Sequence, residues 1–387
     1  MGATVRTGST PRTRDTAAPP CRVAGFRQVG TGLATVSGMP EERLDLSPLR
    51  EPLTREAVRA YRRAAVARGD APSGVAAVVV AGGVVVVALG VGVVLLMAAR
   101  GSLLGLLFVA VALVVGVLVV RGAVGGASWQ RWARLDRFAA ANGMRFTPQA
   151  DGTDEIGMIF DRGHDRTTSE RMRLGDGWLD GRVETANYRY SITTGSGKNR
   201  HTRVYRWAYL VVQLDRHLPQ LVLDAVQNDH RVLGIGTSNL PGTFASAQRL
   251  GLEGDFDRYF RLYVPAGYER DALYVLTPDL MALLIDQAGT GAALDVEVVD
   301  DRIYFYAPGH LDYGDPGVWQ RLTTILRTVG EKTLRQTVRY ADERVGDRAL
   351  DVVAPQGRRL RSGGITGIGV VVLVAFAAWT ALTLFAR

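Results

Sequence analysis

Residues 183–214, with the sequence VETANYRYSITTGSGKNRHTRVYRWAYLVVQL, contain two β-like runs separated by a polar segment. In the first run Tyr188, Tyr190 and Ile192 fall on one face of an extended strand, and the second run alternates in the same way. The polar segment, 193–202, contains two glycines and has the composition of a hairpin loop. This stretch therefore predicts two adjacent antiparallel strands.

Further β-like and helical segments follow the same hairpin toward the C-terminus. A second hairpin is predicted over 294–307, with its turn at Asp300 and Asp301. Strands and helices come in runs and not in regular βαβ alternation, so we predict an α+β fold in which helices cover an antiparallel sheet. Apolar spacing and capping residues predict helices over 129–142, over 268–276, and from Pro278 and Pro316 onward.

Three apolar stretches, 75–99, 103–120 and 363–386, contain no charged residue. Each approaches the roughly 20 apolar residues that cross a bilayer as a helix. We therefore predict that the α+β domain is attached to three transmembrane helices. Fourteen arginines flank one side of these stretches, whereas the other side has only Arg100 and Arg387. This bias predicts an inner-membrane protein with its N-terminus and main domain in the cytoplasm and its C-terminus outside.

The chain accordingly divides into six predicted parts. The N-terminal part lacks the apolar core of a cleaved signal peptide, and translation from Met1 or from Met39 remains open. The predicted parts are a disordered basic tail (1–53), a short basic helix before the first span (54–72), a transmembrane hairpin (73–122), a cytoplasmic α+β domain (123–352), a linker (353–362) and a C-terminal transmembrane helix (363–387).

The distribution of charge argues against a nucleic-acid partner. The 387 residues include 46 Lys and Arg against 38 Asp and Glu, a formal net charge of +8. Residues 1–72 contain twelve arginines and seven acidic residues, whereas 121–361 contains 32 basic and 31 acidic residues. A nucleic-acid binder concentrates its basic excess on the folded domain, so we predict a bilayer or protein partner and no nucleic acid.

Motifs for catalysis or metal binding are absent from the sequence. Cys21 lies in the predicted tail, which excludes a cysteine nucleophile or a cysteine-based metal site. Asp161, His164 and Asp165 would suit a cation, but an ordinary polar loop explains them equally well. The fragment GSGK at 195–198 lacks the first glycine and the final Ser or Thr of a phosphate loop. We therefore predict no catalytic residue, no cofactor and no metal.

The hairpin loop within 183–214 contains the one candidate binding surface. Lys198, Arg200, His201 and Arg203 follow two glycines there. They would contact anionic lipid headgroups, to which each basic residue near the surface adds about 1 kcal/mol. The alternative interpretation is a flexible polar hairpin tip with no ligand.

Short motifs in the C-terminal half carry a family resemblance. They are FRLY at 260–263, YVLTP at 274–278, Met281, and the pair Ile303-Tyr304. In these motifs the chain resembles, over roughly residues 125–340, a family of uncharacterised bacterial membrane proteins described only as a domain of unknown function. The resemblance implies a membrane hairpin followed by a cytoplasmic α+β domain, and it implies no activity.

These observations favour a binding protein over an enzyme. We predict a membrane-anchored scaffold or regulatory protein whose cytoplasmic domain binds a protein partner or the inner membrane surface, with homo-oligomerisation left open. The alternative is an enzyme that acts on a membrane-associated substrate through an unidentified pocket. A deep polar pocket around His164 or His217 would favour the enzyme, and a basic or flat apolar patch would favour binding.

Overall fold

The structure, a computed structural model, describes residues 44–70, 126–232, 235–252, 254–289 and 293–362, together with isolated helical residues between 83 and 114. Its strands are β1 (Arg145–Asp151), β2 (His164–Arg173), β3 (Val183–Thr194), β4 (His201–Ala225), β5 (His230–Val232), β6 (Ile235–Thr237), β7 (Arg249–Leu250), β8 (Phe260–Tyr263) and β9 (Asp295–Pro308). Its helices are α1 (Ser47–Arg50), α2 (Arg55–Arg68), α3 (Gly126–Ala141), α4 (Phe256–Tyr259), α5 (Glu269–Val275), α6 (Pro278–Gly289), α7 (Pro316–Ile325), α8 (Glu331–Thr337) and α9 (Pro355–Arg358).

Seven of these strands form one antiparallel sheet. Its order is β1-β2-β3-β4-β8-β7, and β9 pairs with β4 as well. All neighbouring strands run antiparallel. Strands β5 and β6 form a separate two-stranded sheet. The predicted α+β class with an antiparallel sheet is therefore confirmed.

Strands β3 and β4 pair as the sequence predicts. Their register runs without interruption from Val183 opposite Val212 to Thr194 opposite His201. β3 continues to Thr194 and β4 begins at His201, so each strand includes two residues of the predicted loop. The turn is therefore shorter than the predicted 193–202. β4 then extends to Ala225 and becomes the central strand, because it pairs with β3, β8 and β9.

The predicted hairpin over 294–307 is wrong. This segment forms the single strand β9, which pairs with β4 from Trp207 opposite Pro308 to Leu223 opposite Val296. Asp300 has a positive φ of 50°, and the register shifts on both sides of its pair with Leu218, where β4 contains extra unpaired residues. Such an irregularity interrupts the pairing without reversing the chain, and this explains why two aspartates with turn character lie inside a strand.

The two faces of the sheet form separate apolar clusters. Leu210 and Val212 of β4 face the helices together with Trp319, whereas Tyr209 faces the opposite side, where its ring lies 4.9 Å from that of Phe160. The alternation predicted for 203–214 is thus confirmed. The helical stripe predicted after Pro316 is also confirmed, since six of its side chains are 5% exposed or less: Val318, Trp319, Leu322, Ile325, Leu326 and Val329.

Local capping signals set the ends of the helices that cover the sheet. α3 ends at Ala141, and Gly143 two residues later has a φ of 65°, which is unstrained for glycine. The Met144 N–H donates to the Ala139 carbonyl at 2.8 Å and closes this end. At the start of α7, Asp315 accepts a hydrogen bond from the Gly317 N–H at 2.9 Å.

In the part of the chain that the structure describes, no helix combines the length and the apolar character that a bilayer crossing requires. This finding contradicts the predicted attachment to three transmembrane helices and the predicted inner-membrane topology. A crossing needs about 20 mostly apolar residues, whereas α3 has 16 residues that include Arg131 and Asp136. All of 363–386 and most of 75–99 and 103–120 lie outside the described residues.

Helix α2, which lies in the short basic segment predicted before the first span, packs on protein. Thr54 caps it by accepting a hydrogen bond from the Ala57 N–H at 3.2 Å. Tyr61 and Ala65 are buried, and the Tyr61 ring lies 6.2 Å from the ring of Trp129 in α3. The apolar side of α2 is therefore covered by α3.

Two segments that we predicted to lie outside the α+β domain contact it: residues 44–53 of the predicted tail and the predicted linker, 353–362. Leu49 is buried and the Asp45 N–H donates to Asn142 Oδ1 at 2.8 Å, so residues 44–53 are ordered and not part of a disordered tail. Residues 1–43 of that tail lie outside the described residues. In the predicted linker, the Leu360 N–H donates to Gln220 Oε1 at 2.7 Å. Apolar burial and long-range hydrogen bonds hold both segments in place.

Candidate functional site

The paired ends of β3 and β4 form a protruding ribbon, residues 189–206, which we name the basic arm. The last pair between β2 and β3 joins His164 to Ser191, and the last pair between β4 and β9 joins Trp207 to Pro308. Beyond these pairs the two strands of the basic arm pair with each other. The arm therefore extends past the edges of its neighbouring strands.

The basic arm carries positive charge without compensation. It contains no Asp or Glu. Its five cationic side chains are exposed, and none of them forms an ion pair with any residue that the structure describes; they are Arg189, Lys198, Arg200, Arg203 and Arg206. The Arg203 guanidinium instead lies 5.2 Å from the centre of the Tyr205 ring. The structure thus brings the predicted residues Lys198, Arg200, His201 and Arg203 together at one exposed end of the sheet.

Contacts at the base of the basic arm hold its shape. The rings of Tyr190 and Tyr205 stack at 5.1 Å with an angle of 11° between their planes. Thr193 Oγ1 lies 2.9 Å from both Thr202 Oγ1 and His164 Nε2. At the turn, Gly195 has a φ of 81°, and a Cβ there would lie 2.2 Å from the Asn199 carbonyl oxygen. These contacts fix the conformation of the basic arm before a ligand binds, so binding does not have to order the arm.

The histidine and aspartate residues considered for metal binding do not converge. Asp161 pairs with Arg166 at 3.3 Å, and His164 Nδ1 lies 2.9 Å from Asp165. Among the described residues, no group of three or more His, Cys, Asp or Glu side chains is placed to hold a metal ion. His217, the other histidine that would have favoured an enzyme, pairs with Asp351 at 3.1 Å on the surface.

Arg261 on β8 joins two buried aspartates that no sequence motif marked. Its guanidinium donates to Asp224 Oδ2 at 3.0 Å and to Asp229 Oδ2 at 2.7 Å. The side chains of Asp224 and Asp229 are 1% and 3% exposed. Burial raises the pKa of Asp224, whereas hydrogen bonds from Ser238 and Arg261 oppose that rise. One positive charge thus faces two carboxylates, and the two ion pairs join β8 to β4 and to the segment that follows β4.

Asp295, at the start of β9, is fully buried beside the same cluster. It accepts hydrogen bonds from the Ala225 N–H at 2.8 Å and from Asn228 Nδ2 at 3.0 Å. Burial raises its pKa to about 7; the two hydrogen bonds oppose that rise, and the charge of Asp224 adds to it. Asp295 therefore titrates near neutral pH in the folded protein.

Another buried carboxylate, Glu297, lies on the face of the sheet that holds Tyr304 and Tyr306. It accepts hydrogen bonds from Tyr306 Oη at 2.7 Å, from Gln220 Nε2 at 2.6 Å and from the Met158 N–H at 2.7 Å. Gly157 allows this approach, because a Cβ there would lie 2.0 Å from Tyr306 Oη. All these donors are already committed to Glu297, so the arrangement is structural. Its only trace in the sequence is an acidic residue among valines in β9.

Comparisons with known proteins add little to this description. No protein-family model and no curated protein matches the chain, so the predicted resemblance to a family of unknown function stays a prediction. Among solved structures, the chain is similar to the crystal structure of the mycobacterial trehalose monomycolate transport factor A, TtfA. The two share 12% sequence identity with a TM-score of 0.31, over 54% of this chain and 92% of that one. A similarity this low carries no argument about the function of the chain.

Proposed function

We propose that the chain is a binding protein whose α+β domain docks onto anionic lipid headgroups through the basic arm. The observation that carries this proposal is the absence of any carboxylate within residues 189–206 or in an ion pair with them, among the residues described. Cations that are exposed and unpaired do not have to break an existing ion pair before they bind an anion.

The composition of the turn favours headgroups over an acidic protein. Residues 193–203 include no Phe, Tyr, Trp or Met, whereas the strongest contacts in protein interfaces are enriched in buried Trp and Tyr as well as Arg. Binding to a layer of lipid phosphate groups requires only basic side chains close to the membrane surface. Each basic residue near such a surface contributes about 1 kcal/mol, and the contribution falls off over the Debye length of about 10 Å at 0.1 M salt.

Replacing Lys198, Arg200 and Arg203 together by Ala should weaken binding to anionic vesicles about a hundredfold at low salt. Three lost contacts of about 1 kcal/mol each give this factor. The measurement is co-sedimentation of the full-length chain with vesicles of phosphatidylglycerol and phosphatidylcholine. The matched control removes three other exposed arginines, as Arg145→Ala/Arg249→Ala/Arg270→Ala, and should change the affinity only a few-fold.

Two outcomes would end the proposal. One is an equal loss in the control variant, which would mean that the overall charge of the chain binds the vesicles. The other is absence of binding by the wild-type chain to anionic vesicles at low salt. Competition by single-stranded DNA stronger than the competition by free lipid headgroups would instead assign the basic arm to nucleic acid. The predicted protein partner and the predicted enzyme activity both stay predictions.

A further inference from the structure

A cleft opens between the two ends of β9 and helices α6 and α7. Its volume is about 390 Å³, within the range of small-molecule sites in proteins. Leu294 just before β9 and Ala307 near its end both line the cleft. Asp300, which has a positive φ of 50°, lies in β9 between these two positions. None of the described residues that line the cleft belongs to the basic arm.

Apolar side chains form most of the walls of this cleft. Val318, Leu322 and Ile325 supply the α7 side, and these three residues also belong to the apolar cluster beneath the helices. The rest of the apolar wall comes from Ala293, Leu294, Ala307, Pro308 and Leu311. A flexible alkyl chain would therefore contact apolar atoms along its length.

One charged side chain stands at the mouth of the cleft. Arg321 is exposed on α7, one turn from Val318 and Ile325, and it forms no ion pair with any residue that the structure describes. No Asp or Glu is among the described residues that line the cleft. The only charge at the site is thus positive, which suits an anionic group and disfavours a cationic one.

We propose that this cleft binds a medium-chain or long-chain carboxylate, with the alkyl chain between β9 and α7 and the carboxylate at Arg321. The inference is independent of the proposed function, because it concerns different residues and a different ligand. It follows from the combination of an apolar wall with a single unpaired guanidinium at its opening.

The test is isothermal titration calorimetry of the full-length chain with octanoate, decanoate and dodecanoate, each below its micellar concentration. One molecule should bind per chain, and the affinity should rise about fourfold for each added methylene until the cleft is filled. Arg321→Gln should weaken decanoate binding about tenfold and leave the dependence on chain length unchanged, because it removes only the charged hydrogen bond. Decylamine should bind the wild-type chain more weakly than decanoate.

Two further variants separate the cleft from general adsorption. Arg145→Gln, which removes an exposed arginine of β1, should bind decanoate like the wild type. Ala307→Phe places a ring in the cleft and should abolish saturable binding, with folding checked by circular dichroism. Equal affinities for the wild type and Arg321→Gln, or binding that never saturates, would show adsorption to apolar parts of the chain and overturn the proposal. Unchanged binding in a folded Ala307→Phe variant would overturn it too.

Discussion

Replacing Arg261 by Met should lower the free energy of unfolding by about 3–5 kcal/mol at pH 7, since it leaves Asp224 and Asp229 buried without their positive partner. Both side chains are almost completely buried, and the guanidinium donates to each of them within 3.0 Å. The methylenes of Met preserve most of the packing of the arginine stem. Urea denaturation followed by circular dichroism measures the loss.

A neutral version of the same cluster provides the control for Arg261. In the variant Asp224→Asn/Asp229→Asn/Arg261→Met all three charges of these ion pairs are gone, so most of the lost stability should return. The deficit of Arg261→Met should also shrink at pH 5, because carboxyl groups that have lost their partner take up protons as the pH falls. A deficit that is equal at both pH values and is not rescued by the neutral variant would show that packing, and not charge, is the role of Arg261.

The stability of the wild-type protein relative to Asp295→Asn should fall by about 2.5 kcal/mol between pH 5 and pH 8. Burial raises the pKa of Asp295 from the ordinary value of 3.8 to about 7. At a pH between 3.8 and about 7, the Asp295 carboxyl keeps its proton in the folded state and releases it in the unfolded state. Protonation therefore favours folding at low pH, and this contribution is lost as the pH rises through the interval.

Asparagine suits this position because it is neutral at every pH and has the same shape. Asn228 Oδ1 has no hydrogen-bond partner among the residues that the structure describes, so a rotation of that amide would let it accept from the new side chain. Urea denaturation of both proteins at pH 5 and pH 8 gives the comparison. Asp279→Asn is the control and should show no such trend, because the hydrogen bond from Lys332 holds the pKa of Asp279 below 3.8. Parallel pH profiles for wild type and Asp295→Asn would disprove the prediction.

The candidate surface on β3 and β4 was predictable because its residues are close in sequence. The turn residues Gly195 and Gly197 and the cations around them lie within one short segment. What the sequence left undecided was whether acidic groups from elsewhere neutralise them, since an ion pair can join residues of any separation. Only the fold answers that question, and among the described residues it supplies no such partner.

The carboxylate clusters and the cleft could not be predicted in the same way. Asp224 and Arg261 are 37 residues apart, and Asn228 and Asp295 are 67 apart. In the sequence each is an ordinary polar residue near an apolar run. The walls of the cleft are equally inconspicuous, because Val318, Leu322 and Ile325 form the same stripe that any core-facing helix shows.

Residue order alone therefore established the local elements of this protein: the alternation in β3 and β4, the glycine that ends α3, and the Asp315-Pro316 start of α7. These features depend on neighbours within a few residues, and the local backbone geometry sets them. The tertiary structure decided that 295–308 is one strand, that residues 44–53 pack on the domain, and which aspartates pair with Arg261. These features depend on which distant segments pair with each other and become buried together. The residue pattern within a single segment does not specify those partners.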